Sequence, residues 1–407
     1  MGGLDIAIAG CGIAGLAAAL LLSRQGHAVT LYERFETPKP LGSGLMIQPT
    51  GLAVLAELGL AGDLVAHGAA VERILGLNAH GETVLDARYA DLGWPMACGF
   101  GIHRASLFGA LHDAVEAGGI EIRTGHEIAG TELVRGGRRL LIAGGTASPT
   151  HDLIVDALGV ASPLLPKANA WLPFGALWTT LEWPEDGPFE HDRLEQRYER
   201  ARKMAGVLPT GRRRGSGRNE LALFWSLRAD RLAAWRDRGL AHWKDEFLTL
   251  WPQCARLLGG LSDPAALTFA RYAHRTHRTP VEPRLIHIGD AWHAASPQLG
   301  QGANMALLDA WALSMALGGG EPVERRLERA VALRRSHVAL YQRLTALFTP
   351  AYQSDSIWPA LLRDVVLAPL SRLGPAPRIQ ANMVSGLTGG PLARLGLVRP
   401  DFAALRR

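Results

Sequence analysis

The six residues Gly10-Cys11-Gly12-Ile13-Ala14-Gly15 constrain this chain more than any other segment. They follow a short apolar run, Leu4 to Ala9, and precede Leu16 to Gln25, a stretch rich in Ala and Leu that ends at Gly26. The apolar run reads as a parallel strand buried on both faces. The Ala/Leu stretch reads as a helix stopped by glycine. His27 to Tyr32 supplies a second strand and closes a βαβ unit with a glycine-rich first turn. In such a turn Gly10 permits the tight bend, Gly12 lets a pyrophosphate approach the backbone, and Gly15 lets helix and strand pack closely. The helix N-terminus offers free N–H groups and partial positive charge to the phosphates. Glu33 ends the second strand about twenty residues on, where a carboxylate can accept from ribose hydroxyls. Ile13, Ala14 and Arg34 are the neighbouring candidates for cofactor contact. An acid at Glu33 suits an unphosphorylated ribose, so FAD or NAD fits better than NADP.

A second cluster chooses between them. It runs Gly289-Asp290-Ala291-Trp292-His293-Ala294-Ala295-Ser296-Pro297-Gln298-Leu299-Gly300-Gln301-Gly302-Ala303-Asn304, directly after the apolar run Leu285 to Ile288. Asp290, at the end of a buried strand, can accept from a polyol chain. Gly300 and Gly302 let backbone lie against a flat ring. A helix from about Ala303 to Leu317 would point its N-terminus at that ring, where reduced flavin carries negative charge.

Between and beyond these clusters the chain holds other elements. Val71 to Leu77 and Glu82 to Leu85 flank a turn at His80-Gly81 and read as an antiparallel hairpin. Leu107 to Ala117 has helical spacing, and Ile120 to Arg123, Arg138 to Ala143 and Leu153 to Ala157 read as strands. Leu221 to Ser226 reads as a sheet strand, Arg231 to Trp251 as a helix, and Glu324 to Leu347 as a charged amphipathic helix. The Pro- and Leu-rich tail from Pro350 is expected to pack as short helices. The chain has a net charge of only +5 over 407 residues, so a nucleic-acid partner is not expected. The densest basic run, Arg212-Arg213-Arg214, lies in a Gly/Ser-rich stretch and reads as a solvated hairpin loop.

Three well-separated cysteines, Cys11, Cys98 and Cys254, give neither a disulfide framework nor a metal knuckle, and no metal site is expected. The run Ile13 to Leu22 is too short to span a bilayer, and no secretory leader is legible at the start. A reducing cytosol is the expected compartment.

Gly10 to Gly15 with Glu33, the triplet Ile102-His103-Arg104 before a helix, and Gly289 to Asn304 resemble the para-hydroxybenzoate-hydroxylase-like (class A) flavoprotein monooxygenases. The segment Gly42-Ser43-Gly44-Leu45-Met46-Ile47-Gln48-Pro49 leading into Gly51 is similar to that family too. The resemblance spans about residues 1–350. It implies non-covalent FAD and hydroxylation of a small aromatic or polyketide-like substrate with molecular oxygen through a flavin C4a-hydroperoxide. It also implies that Arg104 meets the FAD phosphates or ribose, Asp290 the ribityl chain and Ile128 the adenine. Pro297 would lie beside the isoalloxazine, with Gly44 near it and Gly300, Gln301, Gly302, Ala303 and Asn304 around the pyrimidine end.

One motif departs from the family pattern. An Asp-Gly pair followed by Ser and then Arg, associated with FAD and NAD(P)H binding, is replaced by Asp156-Ala157-Leu158-Gly159 with Leu165 beyond Ser162. Asp156 is the candidate substitute. The expectation is poor direct reduction by NADH or NADPH, with an external reductase as an alternative electron source.

No catalytic base is legible. His293 is the most tempting candidate, but a histidine supporting the flavin loop is the favoured role, and His274, Arg275 and His277 read as a polar interdomain surface. Trp171, Phe174, Trp178, Phe224 and Trp225 are candidate walls of a substrate pocket.

The expected architecture is α/β. It has a Rossmann-like FAD domain from residues 1–70, 97–165 and 278–350, an inserted β-sheet substrate domain from 71–96 and 166–277, and a helical region from 351–407. A non-hydroxylating dehydrogenase or reductase of the same fold is the second reading, and a non-catalytic flavin-binding protein the third. A halogenase is disfavoured because no WxWxIP motif is present.

Overall fold

The computed structural model describes residues 3–37, 43–166 and 170–406. Gly42, the first residue of the Gly42–Pro49 segment, and the opening Met1 and Gly2 lie outside the described residues. The glycine-rich turn sits in a six-stranded sheet ordered Val281–Glu282, Leu285–His287, Leu153–Asp156, Asp5–Ala9, Ala28–Tyr32, Glu121–Arg123. Its inner strands are parallel, with Ala9 opposite both Asp156 and Tyr32 and Asp156 opposite His287. Ile6 to Ala9 are fully buried because helices or strands cover both faces of a parallel sheet. The aligned carboxyl ends of these strands open the crevice where open α/β sheets bind ligands.

The hairpin Arg73–Asn78 and Thr83–Arg88 does not stand alone. It extends a seven-stranded sheet through a parallel pairing with Arg193–Glu199, and the order continues Lys203–Arg212, Asn219–Arg228, Trp171–Glu182, Thr268–Ala273. Period-two alternation divides this sheet. Leu221, Leu223 and Trp225 enter a core with Trp243 and Phe247 from the covering helix Leu232–Leu250 and Trp251 just past its end, while Ala222 and Phe224 turn to the other side. That helix is interrupted at Gly239, whose φ of 81° breaks the continuous run expected from sequence.

The arginine run lies in the hairpin between Lys203–Arg212 and Asn219–Arg228, yet it is not simply solvated. Arg214 donates to Asp113 at 2.6 Å and Arg213 pairs with Glu220 at 3.3 Å, so the hairpin tip is fastened back to the helix Arg104–Ala117. The helix after the second glycine cluster is Gly302–Leu317. The next, Val323–Tyr352, is longer than expected and passes through Pro350. The tail forms short helices, among them Ile357–Leu362, Ala376–Val384 and Pro391–Arg394. The three cysteines are buried and free. Among the described residues no helix is long and apolar enough to cross a membrane.

Candidate active site

A cavity of about 810 Å³ runs from the first glycine cluster past the second and onto the large sheet. At its first end, Gly10 has a φ of +102° and a Cβ there would sit 2.7 Å from the Ala157 carbonyl oxygen. A Cβ on Gly15 would lie 2.0 Å from the Gly10 carbonyl oxygen, so only glycine allows this helix to approach its strand. Gly12 faces open space and caps Ile13–Ser23 without a side chain, leaving the helix's first N–H groups toward the cavity. Glu33 is held by both oxygens, accepting from the Cys11 N–H at 3.0 Å and the Phe35 N–H at 3.1 Å. Its remaining lone pairs face the cavity, which also touches Ile13, Ala14, Arg34 and Ile128. Burial, reinforced by the Glu33 charge, pushes the Cys11 thiol up to about 12, so it stays protonated.

Arg104 and Asp290 both line the cavity, and each feels the other's charge. Burial lowers the Arg104 guanidinium's proton affinity while Asp290 opposes the fall. Burial raises the Asp290 carboxyl above its usual range, with His293 and Arg104 pulling it back. These residues fit FAD: an open helix N-terminus for pyrophosphate, an anchored acid at the ribose position, and an acceptor and a guanidinium both accessible from the cavity. When bound, FAD would contribute redox chemistry that no side chain here can supply.

Farther along, Gly44, Pro297, Gly300, Gly302 and Ala303 line the cavity. Gln301 and Asn304 do not, which corrects their expected place around the ring. Gln301 Nε2 donates to the Val384 carbonyl at 2.7 Å, tying the loop to the tail. Asn304 Oδ1 accepts from the Gln48 N–H at 2.8 Å and Nδ2 donates to the Met46 carbonyl at 3.1 Å. Both residues brace the loop from behind, since successive helical positions point in different directions.

His293 belongs to a buried chain under the same loop. Its Nε2 meets Asp309 Oδ2 at 2.5 Å; that oxygen also accepts from the Gly289 N–H at 3.0 Å. Arg334 Nε donates to Asp309 Oδ1 at 2.8 Å, an Arg334 terminal nitrogen donates to His337 Nδ1, and His337 Nε2 donates to the Gly386 carbonyl at 2.9 Å. Burial alone would raise Asp309, but His293 and Arg334 hold it down to about 2. Burial and then Arg334 pull His337 down to about 3. Sequence reasoning missed Asp309, Arg334 and His337; a lone acid inside the apolar stretch Ala303 to Leu317 was the available signal.

Asp156 is not a free substitute for the missing family acid. It is fully buried and accepts from the Leu158 N–H at 3.0 Å, Ser162 Oγ at 2.6 Å and His287 Nδ1 at 2.7 Å. Leu158 itself lines the cavity. Arg275 donates to the Val160 carbonyl at 3.0 Å, and the His277 N–H to the Trp292 carbonyl at 2.7 Å, so this stretch fastens the large sheet to the flavin loop.

Of the candidate substrate walls, Trp178 and Phe224 line the cavity with ring centroids 4.7 Å apart. Trp225 does not. It follows Phe224 on a strand, therefore points to the opposite face, and packs on Trp243 and Phe247. Trp171 and Phe174 also lie away from the cavity lining; Arg271 and Arg228 stack over their rings. Tyr198, Met204 and Tyr272 from the sheet and Phe348, Tyr352 and Met383 from the last helices complete the wall. Their chain positions are too scattered to show in sequence.

Residues 3–144 and 226–343 match the FAD-binding-domain family. A phenazine 1,6-dicarboxylic acid hydroxylase from Lysobacter antibioticus is 28% identical over 362 residues, covering 81% of this chain and 86% of that protein. An aurachin C monooxygenase/isomerase from Stigmatella aurantiaca is 24% identical, covering 96% of this chain and 99% of that protein. The structure of Klebsiella pneumoniae HpxO with FAD and uric acid superposes with a TM-score of 0.81 at 20% identity, over 95% of this chain and 98% of that one, which speaks to the fold. With more than half its length matched, the chain belongs to the FAD-binding-domain family and is an FAD-dependent oxidoreductase of the class A flavoprotein monooxygenases.

Proposed function

We propose that this chain hydroxylates a small aromatic or polyketide-like molecule, using molecular oxygen and bound FAD. The observation carrying this reading is the continuity of one cavity between a dinucleotide-shaped end and an aromatic-lined end. The chain's own residues do the rest. Asp290 would accept from the ribityl chain, Glu33 from the ribose, and Arg104 would offset phosphate charge. The Gly300–Ala303 backbone would support the ring, with Pro297 closing one side. Trp178, Phe224 and the C-terminal Phe348 and Tyr352 orient an aromatic ring and exclude water. His293 serves as a positioning residue, since its Nε2 is committed to Asp309.

The same reading divides the chain at the expected boundaries. Support comes from the 71–96 hairpin sharing a sheet with strands drawn from 171–273. Three buried free thiols suit a reducing cytosol. Leu158 on the wall and the fully engaged Asp156 support poor direct reduction by NADH or NADPH, with reducing equivalents arriving from a reductase or free reduced flavin.

The test is a single turnover. FAD-loaded enzyme, reduced without oxygen and mixed with isotopically labelled dioxygen and an aromatic panel, should yield a product carrying the label. Reoxidation with every panel member and no labelled product would favour the dehydrogenase or reductase reading.

A further inference from the structure

Resting on the monooxygenase reading, we propose that the sheet end of the cavity selects an uncharged, lipophilic aromatic substrate. It would hold that substrate by ring packing and orient it by a hydrogen bond from the Tyr272 hydroxyl to a substrate carbonyl or phenol oxygen. No carboxylate clamp is involved.

Strand alternation carries the first part. Leu194, Gln196 and Tyr198 face the cavity from one strand, Met204 and Leu208 from the next, and Thr268, Ala270 and Tyr272 from the edge strand. The intervening Glu195 and Arg197 are kept off this face and pair with each other at 3.5 Å. Arg73 and Asp86 likewise pair at 2.7 Å beside Ile74 and Leu85, the hairpin residues that reach the cavity. Among the described lining residues, Glu33, Arg34, Arg104, Glu127 and Asp290 carry charge, and all come from the cofactor-binding segments. A carboxylate substrate docked on this face would leave water without a cation to meet it, and burying an unpaired charge is costly. A neutral ring instead meets Trp178, Phe224 and Tyr198, with apolar room at Leu194, Met204 and Leu208 for a fused ring or alkyl chain.

Tyr272 carries the second part. Trp178 Nε1 donates to its oxygen at 3.3 Å, which leaves the hydroxyl proton for a ligand. The Tyr198 hydroxyl is already spent on Gln196 Oε1 at 2.5 Å. Tyr272 lines the cavity beside Trp178, so its donor lies at the aromatic end where a substrate ring would pack. Burial raises its proton affinity further, keeping it a neutral donor.

The experiment titrates FAD-loaded enzyme, followed by its flavin absorbance, with a 2-alkyl-4-quinolone and with the same quinolone bearing a 3-carboxylate. The neutral compound should bind at least about tenfold more tightly. Tyr272→Phe should weaken it by up to about tenfold at unchanged FAD content. Leu194→Arg should shift preference toward the carboxylate. The wild-type comparison holds even if that variant fails to fold. Equal or tighter binding of the carboxylate, or no flavin perturbation by either compound, overturns the proposal. Labelled-oxygen turnover separates the two readings. Tight neutral binding without oxygenated product would sink the monooxygenase reading alone. Oxygenation of the carboxylate only would sink the substrate class alone.

Discussion

The two ends of the cavity are built by different rules. The cofactor end takes its shape from backbone: a glycine turn that admits no side chain at Gly10 or Gly15, a helix N-terminus, and Glu33 fixed by two N–H groups. The substrate end takes its shape from side chains that alternate along strands between residues 74 and 272. A backbone site needs neighbours in sequence, so it leaves a motif. A sheet-face site needs only the right parity on each strand, so it leaves none. The first tolerates little change, whereas the second can be repainted one residue at a time without disturbing the fold.

The largest effect tests the parity itself. Trp225→Ala removes a fully enclosed indole from the core with Trp243 and Phe247 and should cost about 3–5 kcal/mol of unfolding free energy. FAD content and ligand affinity of the folded fraction should hold. Phe224→Ala, one residue away, should instead weaken ligand binding. If denaturant titration and ligand titration rank these two variants the other way, the assignment of faces is wrong.

Asp290→Ala tests the opposite end. It removes a cavity-lining acceptor and should weaken FAD by about 1–3 kcal/mol, read as a rise in the FAD dissociation constant by fluorescence recovery. The apoprotein should lose little stability, because the unliganded carboxylate is exposed there and no hydrogen bond within the chain depends on it among the described residues. Unchanged FAD affinity would move the ribityl chain elsewhere. A preparation that folds correctly but never binds FAD would break the comparison altogether.

The support beneath the cofactor end should be sensitive to acid. His337 sits near 3 in the folded chain against an ordinary value of 6.5. Between those values the unfolded chain binds the extra proton, so stability falls as pH drops below 6.5. By pH 5 this site alone should have withdrawn roughly 2 kcal/mol. Asp309 has the same sign over a lower window, since its depressed value near 2 adds stability that disappears only as pH falls from its usual 3.8 toward 2. His337→Gln should flatten the limb between pH 6.5 and 5, measured by chemical denaturation. A slope identical to wild type there would remove His337 from the account.

How much of this was legible follows from the same contrast. The strand–turn–helix at residues 4–25, the acid at Glu33 and the loop from Gly289 to Ala303 read directly, because each pairs a local conformation with a local residue type. Asn304 and Gln301 turn away from the cavity behind that loop, because sequence gives adjacency but not the direction of a side chain. Trp225 and Phe224 are equally large and aromatic, yet as neighbours on a strand they serve opposite faces, which size and residue type alone do not reveal. The chain from His293 to Gly386 spans more than ninety positions and only folding assembles it.

The smallest expected effect sharpens the cofactor end. Leu158 lines the cavity where the family carries an acid, and its N–H is already held by Asp156 Oδ1, so the backbone there is set for a side chain pointing inward. Leu158→Asp would restore an acceptor for a ribose hydroxyl or nicotinamide amide. A charge-assisted hydrogen bond contributes roughly 1.5 kcal/mol at the low end, or about tenfold in affinity. The new carboxylate would stand near buried Asp156, but Arg275 reaches the adjacent Val160 carbonyl and could swing to offset the added charge. Stopped-flow reduction by NADPH should therefore be slow in the wild type and about tenfold faster in the variant at low NADPH, with FAD content unchanged. Fast, saturable reduction of the wild type at micromolar NADPH without substrate would show that this wall needs no acid, and that the cofactor end accepts a nicotinamide by contacts its motifs do not display.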